Sequence, residues 1–249
     1  GGSMALSSNT LIHFTNSKDS LKRILEENFR IFYCKETVIL GGKTSAWRVP
    51  MVSFCDIPLS EIKDHIEKYG NYGIGMTKEW GVRKGLNPVL YVAQTSSLSS
   101  SYRHAFRTYA IETGDDVDDW SEEQRSVVDI LRYMKNYEAT LERKGLSKEN
   151  YRFSDEREWR FVPAHTERCD MVVSNDYYVG SESEVDAAVV DMRLDFEPND
   201  IKYIIINDDT EIGEFIDHLR RVKGKNYTLH DIERLTTRIF TTEQIKTDV

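Results

Sequence analysis

The stretch "SDEREWRFV", residues 154–162, poses the questions of fold and of chemistry together. From Glu158 onward, "EWRFVPA" (158–164) alternates in the manner of a β-strand. Side chains two apart on a strand face one side, so Glu156 and Glu158 would present two carboxylates to the same surface. Like charges that close disfavour double ionisation, which can raise one of the two pKa values. A carboxylate can also stabilise a developing cation electrostatically. The plainer reading is a solvated strand face, with Arg157 and Arg160 on the other side.

Working outward, the pattern alternates between strands and helices. "LIHF" (11–14) reads as a strand, and Leu21, Ile24, Leu25 and Phe29 recur at helical spacing after it. "VPMVSFCDIPL" (49–59) reads as a strand bounded by Pro50 and Pro58. "SEIKDHIEKYG" follows as a helix, with Ser60 as N-cap and Gly70 at its end. "YGIGMT" (72–77) and "NPVLYVAQ" (87–94) read as strands, and residues 120–145 as a helix. "AAVVDMRL" (187–194) and "IKYIIIN" (201–207) are later strands, and "EIGEFIDHLRRV" is an amphipathic helix. The Gly41-Gly42 pair marks an exposed loop. There is no repeat and no long Gly/Ser linker, so the expectation is one α+β domain over residues 5–249. The leading "GGSM" reads as a tag remnant and the start methionine.

The chain has 249 residues and a net charge of −9. Nucleic-acid binders usually carry a basic surplus, because phosphate neutralisation supplies most of their affinity, so nucleic acid is not a favoured partner. Seven acids and no base fall in "ETGDDVDDWSEE" (112–123), which reads as a solvated loop leading into a helix. Cys34, Cys55 and Cys169 form no CxxC pair, which argues against a zinc site or a disulfide framework. No window approaches the ~18 apolar residues of a membrane helix, and a cytoplasmic location is expected.

Familiar catalytic motifs are missing. "GNYGIG" is not GxGxxG, there is no GxSxG, and the six histidines show no HExxH spacing, so no metal is expected. Three local features remain. His13 and Thr15 would face one side of a strand and could hydrogen-bond ligand hydroxyls. Tyr69 and Tyr72 flank a glycine-containing turn and offer flat faces for stacking on a ring. Glu156 and Glu158 form the acidic pair.

In that order the three features resemble the His–Tyr–Glu arrangement of the ADP-ribosyltransferase fold. "LIHFT…LKRIL", "VPMVSFCDIPL", "HIEKYGNYGIGMTKEW", "NPVLYV" and "EREWRFV" more closely resemble the AbiGi family of abortive phage-resistance proteins, over roughly residues 10–210. That family is described as the antitoxin partner of a nucleotidyltransferase-like toxin. The fold resemblance implies a split β-sheet core with flanking helices and NAD as substrate. His13, assisted by Thr15, would hydrogen-bond the adenosine-distal ribose, and Tyr69 or Tyr72 would stack on nicotinamide. Glu158 would stabilise the oxocarbenium-like transition state, and Glu156 would position the acceptor. The chain departs from the arginine-directed subclass in lacking a Ser-Thr-Ser strand. Two functions follow as expectations: a phage-defence enzyme transferring ADP-ribose to a macromolecular acceptor, or an inactive transferase-like antitoxin that restrains a partner toxin. A metal-dependent nuclease using Asp155, Glu156 and Glu158 is a weaker third, because the downstream lysine of such sites is absent.

Overall fold

A computed structural model describes residues 8–110, 119–143, 146–166, 168–223 and 228–248. Residues 1–7, which include the expected tag remnant, and 112–118 of the acidic run lie outside the described residues.

Strand β1 spans Thr10–Thr15, and Ser17 then caps helix α1 (Lys18–Glu27) by accepting from the Ser20 amide. After β2 (Phe29–Arg30) comes a long hairpin, β3 (Phe32–Leu40) and β4 (Lys43–Cys55), in register from Phe32↔Met51 to Leu40↔Lys43. Its two turn residues, Gly41 and Gly42, have φ of 54° and 72°. A two-residue turn that matches strand twist needs positive φ at both positions, which glycine adopts without strain. Helix α2 (Lys63–Tyr69) begins later than expected. Ser60 lies inside a 3₁₀ turn, Leu59–Glu61, and Ile62 occupies the N-cap, while Gly70 closes the helix as anticipated.

Strand β5 (Tyr72–Thr77) leads through the Thr77 cap into α3 (Lys78–Arg83). Short strands β6 (Asn87–Pro88) and β7 (Leu90–Val92) precede α4 (Ser97–Ala110). Ser121 and Gln124 form a capping box that starts α5 (Glu122–Arg132), so the described end of the acidic run is an exposed helix start. The helix expected to reach residue 145 stops at Tyr133. Strands β8 (Met134–Asn136), β9 (Glu138–Arg143) and β10 (Leu146–Arg152) follow. Met134 keeps the helical spacing of Val128 and Leu131 but pairs with Leu90 in parallel strands, so tertiary pairing overrides local period.

A 3₁₀ turn, Phe153–Glu156, precedes β11 (Glu158–Phe161). Then come β12 (Val173–Ser174), α6 (Asn175–Tyr178), α7 (Glu182–Ala187) and β13 (Arg193–Leu194). The strand expected over 187–194 survives only at Arg193 and Leu194. Val185 and Val189, four apart, are buried together in helix and turn instead. The chain ends with β14 (Ile201–Ile206), α8 (Ile212–Lys223), α9 (Leu229–Thr236), β15 (Ile239–Thr241) and α10 (Thr242–Asp248). The protein is a mixed α+β chain. No described helix is long and apolar enough to cross a membrane.

These elements gather into two units built from separate stretches of chain. The first contains Gly1–Arg30, Ser53–Leu86 and Arg193–Val249; the second contains Ile31–Val52 and Asn87–Met192. In the first, strands run in the order β15-β14-β5-β1-β4, and β14–β15 is the parallel pair. Ile12, Tyr203 and Ile205 pack with Ile62, Ile66 and Ile245 on one face. Phe29, Phe54 and Trp80 interlock on the other, where Leu21, Leu25, Phe215 and Leu219 are also buried. Gly75 permits the ring of Tyr203 to cross β5, since a Cβ there would stand 2.5 Å from that ring. In the second unit, β11 lies between β4 and β6, and α4 and α5 cover a core that includes Val38, Val92, Val128 and Leu131.

Candidate functional site

The acidic pair lies in the second unit, and its geometry differs from a plain strand. Glu156 ends the 3₁₀ turn, Arg157 takes a left-handed conformation (φ 44°), and only then does β11 begin at Glu158. The left-handed residue swings both carboxylates towards Lys135 on β8. Lys135 Nζ lies 2.8 Å from Glu158 Oε2 and 3.6 Å from Glu156 Oε2. Two residues along the strand, Arg160 Nε donates to Glu158 Oε1 at 2.7 Å. The same guanidinium meets Glu36 Oε1 of β3 at 3.0 Å and donates to the Arg132 carbonyl at 2.9 Å. Tyr151 Oη donates to Glu156 Oε1 at 2.9 Å, and the ammonium of Lys135 stands 4.7 Å from the centre of the Phe153 ring.

The solvated-face reading is therefore overturned. Glu156 and Glu158 are 4 % and 6 % exposed, and Arg160 is fully enclosed on the same side as Glu158, not the opposite one. The expected rise of a carboxyl pKa is reversed as well at Glu158. Burial pushes its carboxyl up, but Arg160 and Lys135 together outweigh burial and bring it to about 2. Burial likewise opposes the charges of Lys135 and Arg160, and the surrounding carboxylates hold both above their ordinary values. Cys34 close by is pushed up to about 11, first by burial and then by Glu36, so it stays a thiol.

Glu36, Glu156 and Glu158 thus face two cations at the edge of a cavity of about 390 Å³, lined in part by Glu36, Thr37, Lys135, Asn136 and Phe153. Each oxygen of Glu158 already has a charged partner. Chemically the arrangement is a rigid ionic tie joining β3, β8 and β11. Among the described residues no group of three His, Cys, Asp or Glu side chains could hold a metal ion.

The other expected residues belong to the first unit. His13 is half-buried, between the edges of Phe29 and Phe54 at 5.3 and 5.6 Å. Its Nδ1 lies 2.9 Å from the Ser53 carbonyl, which can only accept, so Nδ1 carries the proton and Nε2 is an acceptor in the neutral ring. Burial lowers its pKa, against the opposing effect of that hydrogen bond, so the neutral form is favoured. Thr15 is two residues on and pairs across the sheet with Tyr72, while His13 pairs with Ile74. Cross-strand partners share a face, so His13, Thr15 and Tyr72 stand on one side. Tyr72 Oη donates to Glu211 at 2.9 Å, and burial, with Glu211 next, pushes its phenol up to about 12. Tyr69 instead stacks with Phe14 and His65, on the opposite side. Of the two tyrosines, Tyr72 is the one that joins His13 and Thr15.

The ionic partners Lys135, Arg160 and Glu36 were not foreseen as a group. Arg160 was within reach of the strand alternation, being two residues from Glu158. Lys135 lies in a segment whose period reads as helix, and Glu36 in a hairpin strand whose nearest local signal is the Gly41-Gly42 turn.

The chain belongs to a family of phage-resistance proteins. The family model described as "Putative abortive phage resistance protein AbiGi, antitoxin" matches residues 18–207. That span holds the whole ionic network, Tyr69 and Tyr72, and begins after His13 and Thr15. The abortive phage resistance protein AbiGi of Lactococcus lactis subsp. cremoris is 26% identical over 226 residues, covering 81% of this chain and 89% of that protein. No solved structure matches the chain.

Proposed function

We propose that this protein acts in abortive phage resistance as an antitoxin, binding and restraining a toxin partner, without turning over a substrate at Glu158. The observation that carries this reading is the state of that carboxylate. A transferase needs its negative charge to face a cationic transition state. Here Oε1 faces Arg160 and Oε2 faces Lys135, and the group is almost fully enclosed. The antitoxin description of the family points the same way.

A second reading has one observation in its favour. His13, Thr15 and Tyr72 share a face of the β1–β5 pair, as groups holding the ribose and nicotinamide of NAD would. On it the protein would carry an ADP-ribosyltransferase-like fold and pass ADP-ribose from NAD to a macromolecular acceptor.

Two measurements separate the readings. On the antitoxin reading, expression of the chain alone leaves growth unaffected, co-expression with its cognate toxin restores growth, and purified protein releases no nicotinamide from NAD. Growth arrest by the chain alone, together with nicotinamide release abolished by Tyr72→Ala, would sink the antitoxin reading in favour of the transferase.

A further inference from the structure

The second unit has another cavity, of about 230 Å³, between the turn end of the β3–β4 hairpin and α4. Its wall is apolar. Half-buried Trp47 meets buried Phe106 edge-on, ring centres 5.5 Å apart, with Leu40 and Leu131 completing the lining. Its rim is cationic. Arg103, Phe106 and Arg107 stand at i, i+3 and i+4 on α4, so one helix face carries both guanidiniums beside the ring. Lys43 opens β4 directly after the glycine turn, and the hydroxyls of Thr44 and Ser45 follow it at the cavity edge.

None of Lys43, Arg103 and Arg107 forms an ion pair with a carboxylate among the described residues. The chain holds 42 acids against 33 bases, so three such cations around one cavity are against its overall balance. Lys135 and Arg160 show the contrast: Lys135 is paired with Glu156 and Glu158, and Arg160 with Glu158 and Glu36.

We propose that this cavity binds a nucleoside phosphate, its phosphate held by Lys43, Arg103 and Arg107 and its base laid against Trp47. Guanidinium forks match phosphate oxygens two at a time, and the threonine and serine hydroxyls can donate to the remaining oxygens. A flat aromatic wall beside a cationic rim suits a base next to its phosphate better than it suits a flexible acidic side chain. At about 230 Å³ the cavity falls below the ~300–1,000 Å³ of drug-sized pockets, so it seats a base with its phosphate out on the cationic rim and not a polymer track. The net charge of −9 also disfavours a long polyanion. A free mononucleotide and the phosphorylated end of a single strand carry the same group.

The test is calorimetric titration of the full chain with AMP, adenosine, inorganic phosphate, a 5′-phosphorylated single-stranded oligonucleotide and a hexaglutamate peptide. AMP is expected to bind one to one, and adenosine and phosphate each at least about tenfold more weakly, the scale of one lost charge-assisted contact. Lys43 and Arg107 are exposed, so Lys43→Gln and Arg107→Gln should keep the circular dichroism of the parent while each weakens AMP about tenfold. Tighter binding of AMP than of the oligonucleotide assigns a free nucleotide, and the reverse order assigns a strand end. Absence of AMP binding, AMP binding untouched by both variants, or hexaglutamate binding as tight as AMP each overturns the proposal. Phosphate binding as tight as AMP overturns the role of Trp47.

Discussion

Glu158 shows how a residue's role depends on what surrounds it. A carboxylate pair at the start of a strand reads from sequence as either a surface or a catalytic site, yet here Glu158 bonds two buried cations at 2.7 and 2.8 Å. Removing one member of such a pair leaves the others buried without compensation, at a cost of about 3–5 kcal/mol. Glu158→Gln should therefore lower the unfolding free energy by about that much in a urea titration. An unchanged midpoint would mean the tie contributes nothing to the fold. The pH dependence has a definite sign. The folded carboxyl titrates at about 2, below the ~4.3 of an unfolded glutamate. Its stabilisation is complete above the unfolded value and is lost as pH falls from about 4 towards 2. The acid limb of the stability profile should flatten across that window in Glu158→Gln, and an identical limb in both proteins would contradict the assignment.

At the level of elements, propensity decided what local contacts could decide. The strand 72–77 was legible to the residue because alternation, a preceding glycine and a threonine cap all agree. The helix over 120–145 was not, because Met134 satisfies the helical period while pairing as a strand. Gly75 tests the same point in energetic form. Its missing side chain is occupied by the ring of Tyr203, and both belong to paired strands, β5 and β14. Gly75→Ala should cost about 1–3 kcal/mol through overpacking, measured by thermal or chemical unfolding. A neutral effect would show that Tyr203 can move aside freely. Tyr203→Leu in the same background should recover part of the loss, since it removes the clashing ring.

At the level of the whole molecule, the acid excess bears on partner choice. On the antitoxin reading proposed above, a chain with net charge −9 is best matched by a basic surface on its partner. Association with its toxin should then slow as salt rises, because the Debye length contracts from ~30 Å at 0.01 M to ~3 Å at 1 M. Stopped-flow association rates that do not change over that range would argue against electrostatic steering. Dissociation should respond less, being governed by the contacts made once bound.

The sequence by itself determined the α+β character, the positions of elements such as β1, β5, β14 and α8, the family resemblance and the acidic balance, because period, caps and turn residues act within a few positions of each other. It also placed His13 and Thr15 on one strand face. Only the tertiary structure chose Tyr72 over Tyr69 to join them, since that choice depends on the pairing of β1 with β5. The fate of Glu156 and Glu158 was likewise decided at long range. Glu36 is over a hundred residues from Arg160 in the chain, and Lys135 is 23 from Glu158. Local sequence cannot report whether a carboxylate faces water or a buried guanidinium, because that depends on which distant strands fold beside it and how much solvent they exclude.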